Sequence, residues 1–166
     1  MKPIISIIGI PGVNTRELRE ALEKATDRFE FVHCSKMREA LMVHAGLWHG
    51  NVDEILHAIV NDDSAPLFHL YVEQPQGMCL RNLRKKGFPR SEYFQAKPYF
   101  EEWARVGEVL GQVFSVNPVK EGLSTDELVH MITLFAEKVQ KDTQEFLANK
   151  LKADEKEAEE AEEVKP

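Results

Sequence analysis

The chain has 166 residues, of which 43% are apolar and 30% charged, and its formal net charge is −7. That length fills one hydrophobic core and excludes two ordinary domains, while only two cysteines, Cys34 and Cys79, exclude the disulfide framework of a small secreted domain and fit a reducing, cytoplasmic setting. Seven acids and three bases fall between Lys152 and Pro166, so the body is close to balanced. It lacks the basic excess that sequence-independent binding to duplex nucleic acid requires.

Four isoleucines between Ile4 and Ile8, bounded by Pro3 and Gly9, predict a strand buried on both faces. The run is far below the roughly 18 apolar residues of a membrane span, and no small-residue cleavage site follows it, so it reads as a strand and not as a signal peptide. After Gly12 the period turns helical through Leu18, Leu22 and Ala25, with Asn14 or Thr15 as N-cap. A second strand is expected from Phe29 to His33. Ser35 then caps a helix through Met37, Leu41 and Met42, and Asn51 or Asp53 restarts it through Ile55, Leu56, Ile59 and Val60 before the loop Asn61-Asp62-Asp63-Ser64. A third strand spans Leu67 to Val72. Helical stretches follow from Gln76 to Lys86 and from Tyr93 to Leu110, the second containing Pro98 as a break or opening. Gln112 to Val116 makes a fourth strand, and Ser124-Thr125-Asp126-Glu127 starts a last amphipathic helix through Leu128, Met131, Ile132, Leu134, Phe135 and Val139.

This alternation implies an α/β fold in three layers, a mostly parallel sheet of about four to five strands flanked by helices. Residues 1–147 form the domain. Residues 148–166 are an acidic tail, disordered or a fraying helix, which either solvates the chain or docks a basic partner.

A glycine turn between a buried strand and a helix suits an anion, because backbone N–H groups point outward and the helix dipole favours negative charge. The turn Gly9-Ile10-Pro11-Gly12-Val13-Asn14-Thr15 resembles the Gly-x-Pro-Gly-x-Gly-Lys-Thr phosphate loop of nucleoside monophosphate kinases such as adenylate kinase. It is one residue shorter, lacks the last glycine, and has Asn14 where that family has lysine. Two further stretches are similar to the same family. Phe31-Val32-His33-Cys34-Ser35 followed by Arg38 resembles the segment that holds the acceptor nucleotide, about three residues shorter. Leu67 to Val72 followed by Met78 to Gly87 resembles the late strand and the basic helix that lead into the lid. Gly87-Phe88-Pro89-Arg90 has the letters of the family's acceptor motif, but it follows a basic helix rather than a strand and is assigned to the lid.

The resemblance implies a P-loop kinase-like domain that transfers a phosphoryl group from ATP, with Mg2+, to a nucleoside or deoxynucleoside monophosphate. Such transfer is catalysed by positioning and by neutralising charge on the phosphoryl oxygens. Arg81, Arg84, Lys85, Lys86 and Arg90 form the densest positive segment of an acidic chain, with no acid among them; a helix C-terminus complemented by bases is the alternative. On this reading Gly9, Gly12, Asn14 and Thr15 cradle the donor phosphates, Arg84 and Arg90 neutralise the transferring group, and Arg38 grips an acceptor phosphate. Thr15 and Glu73, the acid at the carboxyl end of the third strand, are the metal candidates. The rival function is a non-catalytic nucleotide-binding or protein-interaction module that kept the kinase scaffold after losing the lysine.

Other constellations carry less. The six histidines show neither His-Glu-x-x-His nor a Cys-x-x-Cys clamp, and His33 and His69 fall in strands as core groups. A His33–Cys34 nucleophile fails because adjacent strand residues point to opposite faces. Trp48, Tyr93, Phe94, Tyr99, Phe100 and Trp103 suit either base stacking or packing of a helix on the sheet.

Overall fold

The computed structural model describes residues 2–33, 38, 41–42, 45–47 and 66–164. The helix expected after Ser35 is represented only by Arg38, Leu41 and Met42. The restart at Asn51 or Asp53, the loop after it, Cys34 and Trp48 lie outside the described residues.

Four strands, β1 (Ile4–Gly9), β2 (Glu30–His33), β3 (Phe68–Val72) and β4 (Val113–Val116), form one all-parallel sheet in the order β2-β1-β3-β4. Ile5 pairs with Phe31 on one side and with Phe68 on the other, and Leu70 pairs with Phe114. The isoleucine run therefore occupies a central strand, where Ile5, Ile7 and Ile8 are buried; burying each is worth about 1.5–3 kcal/mol. Helices flank the sheet: α1 (Thr15–Ala25), α2 (Gln76–Lys85), α3 (Ser91–Val109), the single-turn α4 (Pro118–Glu121) and α5 (Thr125–Glu163). The fold is α/β, as the alternation of periods implied. No described helix is long and apolar enough to cross a membrane.

The strand order places the layers. From β1 the chain crosses α1 to β2 in one direction, and from β3 it crosses α2 and α3 to β4 in the other. Right-handed crossovers then put α1 and α3 on opposite faces. Side chains follow: Phe68 and Phe114 meet Phe135 of α5 on the α1 side, whereas His69 and Tyr71 meet Trp103 of α3. Gly107 lets α3 approach β4, since a Cβ there would lie 2.2 Å from Val113 Cγ2. Pro98 sits inside α3 without ending it, and Tyr93, Phe100 and Trp103 pack this helix on the sheet.

One polar side chain interrupts the isoleucines. Ser6 is fully buried, and its hydroxyl is hydrogen-bonded to His69 Nδ1 on the next strand. In the Nε2–H tautomer that nitrogen accepts and Ser6 donates, so neither group is left unpaired in the core.

α5 begins with a capping box between Ser124 and Glu127. Leu128, Ile132 and Ala136 are its buried positions, yet the helix continues to Glu163. Past Val139 every described residue is exposed.

Candidate functional site

Ligands of open parallel sheets sit beyond the carboxyl ends of the strands, and a cleft of about 480 Å³ lies there. Gly9, Gly12 and Thr15 line it from β1, the turn and α1, and Arg38 lines it after β2. His33, Lys86 and Phe88 complete the wall. Four sequence-expected residues are thus brought together with three that the sequence reading did not assign.

The wall is shaped by the exit from α2. Gly87, at φ 78°, ends that helix in a Schellman arrangement, its N–H donating to Arg84 O and the Phe88 N–H to Leu83 O. The reversal brings Phe88 onto Leu83, and both face the cleft. Only residues 86–90 separate α2 from α3, so the segment expected to be a lid is a tight connection between two helices. Arg84, Lys86 and Arg90 are all exposed, but only Lys86 of the three lines the cleft. Successive helical residues are about 100° apart, so Leu83 facing inward turns Arg84 outward. Arg90 instead stands 5.8 Å from the Phe94 ring centroid as a cation–π partner.

The glycine turn differs from an open phosphate cradle. The Val13 N–H donates to Ile10 O at 3.1 Å and the Thr15 N–H to Val13 O at 3.1 Å; the Asn14 N–H points to Gln74 Oε1 at 3.4 Å. Asn14 Oδ1 accepts the Glu17 N–H, making Asn14 the N-cap of α1 and not a wall of the cleft. The turn thus spends the Val13 and Thr15 amides on its own carbonyls and points the Asn14 amide at Gln74. The Val13 side chain fills the space over Gly9, where a Cβ would come within 2.8 Å of it. Gly12, at φ 98°, is pressed against α2: a Cβ would lie 2.4 Å from Cys79 O, and Gly12 O accepts from Asn82 Nδ2 at 2.9 Å.

Charge in the cleft comes from Arg38 and Lys86, opposed by Glu92. Burial lowers the affinity of His33 for its proton, Arg19 lowers it further, and Glu23 opposes both. His33 is accordingly a neutral hydrogen-bonding group at neutral pH.

The proposed metal pair is not assembled. Glu73 follows the two-residue period of His69 and Tyr71 onto the α3 face and does not line the cleft that holds Thr15. Burial, then Glu101 and Glu108, hold its carboxyl above the usual range. Among the described residues no group of three His, Cys, Asp or Glu side chains is placed to hold a metal ion. Thr15 and Glu73 therefore do not form a donor pair for Mg2+.

A larger cavity, about 730 Å³, lies between α3 and the start of β3 and β4, lined by His69, Tyr99, Trp103 and Leu110. Its described wall holds no lysine or arginine; of the expected residues it holds the stacking candidates Tyr99 and Trp103 and none of those assigned to phosphate or metal. Volume favours this cavity, but chemistry favours the smaller cleft, where cations, a hydroxyl and a glycine turn converge. No family model and no curated protein matches this sequence.

Proposed function

We propose that the chain is a nucleotide-binding module on a kinase-like scaffold, which holds the phosphate groups of its ligand in the cleft at the carboxyl edge. The observation that carries this reading is the convergence of Arg38 and Lys86 with Thr15 at the glycine turn, in a protein of net charge −7. Two cations and a hydroxyl within one concave site select an anion of phosphate size. The half-exposed ring of Phe88 on the same wall offers an apolar surface to a base.

Binding without efficient transfer is favoured over catalysis by three features. The Val13 and Thr15 amides are spent within the turn and the Asn14 amide on Gln74, Asn14 caps a helix, and Arg84 and Arg90 stand outside the cleft. Transfer from ATP depends on preorganised charge around the moving phosphoryl group, and these residues do not converge on one point.

The test is incubation of the purified chain with ATP, Mg2+ and a panel of nucleoside and deoxynucleoside monophosphates, read by product chromatography beside thermal unfolding. The expected result is nucleotide-dependent stabilisation with no diphosphate formed. Diphosphate from any acceptor would replace this reading with ATP-dependent phosphoryl transfer, and no stabilisation by any nucleotide would overturn both.

A further inference from the structure

After Val139, α5 leaves the body and runs exposed to Glu163, roughly 36 Å of helix at 1.5 Å per residue. Its surface is not uniformly polar. Phe146, Leu147 and Leu151 are 67%, 52% and 64% exposed. Leu147, Leu151, Ala158 and Ala161 fall at i, i+4, i+11 and i+14, which places them on one face. The face changes along its length: large apolar residues come first, and alanines follow.

Charge divides at the same place. Lys138 to Lys152 contains four lysines and two acids, whereas Asp154 to Glu163 contains seven acids and one lysine. Two such helices side by side in parallel would set acid against acid and alanine against alanine. Reversed about Asp154, they set Leu147 and Leu151 against alanine and Lys150 against acid.

We propose that this extension is a self-association surface, and that its partner is the same helix of a second copy of this chain, packed antiparallel about a two-fold axis near Asp154. In this register Leu147 meets Ala161 of the partner subunit and Leu151 meets Ala158 of the partner subunit. Lys150 lies beside Glu157 of the partner subunit, and the symmetry repeats each contact. Asp154 meets its own counterpart on the axis. That like-charge contact, with the small apolar face, keeps the association reversible.

The test is sedimentation equilibrium of the full chain over a wide concentration range. The expected result is a reversible shift from the 19.0 kDa chain to twice that mass. Leu151→Asp should leave monomer, and because the position is exposed the body stays folded, which circular dichroism checks. Lys150→Glu should weaken association and Glu157→Lys added to it should restore it, while Asp154→Leu should tighten it. A monomer at every concentration would overturn the proposal, as would association indifferent to Leu151→Asp. Failure of the paired charge reversal to restore binding would overturn the antiparallel register.

Discussion

At the scale of single residues, two positions in the body are fixed by surroundings that can be named. Gly12 combines a left-handed φ of 98° with backbone 2.4 Å from a would-be Cβ, whereas Gly111, at φ 70°, has open space around it. Gly111→Ala therefore meets backbone strain of about 1 kcal/mol. Gly12→Ala adds an overpacking cost of about 1–3 kcal/mol, because the obstacle is the Cys79 carbonyl and cannot rotate away. Urea unfolding of the two variants should show Gly12→Ala as clearly the less stable; equal losses would mean that α2 yields at Cys79. His69 makes a different statement. Burial lowers its affinity for a proton below the ordinary value of 6.5, so between its folded value and 6.5 the unfolded chain binds the proton and the folded chain refuses it. Stability is then intact above about pH 6.5 and falls as pH drops through that window, by at most about 1.4 kcal/mol per unit for this group. His33 is lowered too and adds to the slope. Unfolding of His69→Gln across pH 5 to 8 should show a flatter acid limb than the parent, and an unchanged slope would place the effect elsewhere.

At the scale of elements, the strands were legible because their chemistry is local: isoleucines, β-branched residues and aromatics in runs of four to six. The observed bounds differ from the expected ones by about one residue, as at β3 (Phe68–Val72) against Leu67 to Val72. The short helix α4 (Pro118–Glu121) was missed because a single turn carries no period. The basic segment was legible as charge but not as geometry. Which of Arg84, Lys86 and Arg90 reaches the cleft depends on the phase of α2 and on the reversal at Gly87, neither of which composition encodes. Glu73 was misplaced for the opposite reason, since its position at a strand end was right but strand alternation carries it to the far face from Thr15. In α5 the capping box and the buried Leu128 and Ile132 followed from spacing, whereas Leu134, expected among the apolar positions, is exposed and Ala136 takes a buried place instead. Beyond them the helix persists with no buried residue. Removing residues 144–166 should therefore shift the melting temperature of dilute protein by no more than about 2 °C. A larger loss would show that the extension contributes to the core.

At the scale of the whole molecule, the strand order β2-β1-β3-β4 sets a cleft at the carboxyl edge of the sheet, and the proposed function rests on how the glycine turn borders it. The scaffold puts the end of β1, the N-terminus of α1 and the exit of α2 around one cleft, while the turn's Val13, Asn14 and Thr15 amides already have acceptors in the chain. On the proposed function, recognition falls to Arg38, Lys86 and Thr15, with charge in place of a backbone cradle, and the cleft reads the phosphate of a nucleotide. Calorimetric titration of the full chain with ADP and with adenosine, repeated on Arg38→Ala and Lys86→Ala, tests it most directly. The account predicts that ADP binds at least about tenfold more tightly than adenosine and that each substitution weakens ADP by about tenfold, in keeping with about 1.5–3 kcal/mol for a charge-assisted hydrogen bond. Equal binding of ADP and adenosine, or ADP binding untouched by both substitutions, would contradict it.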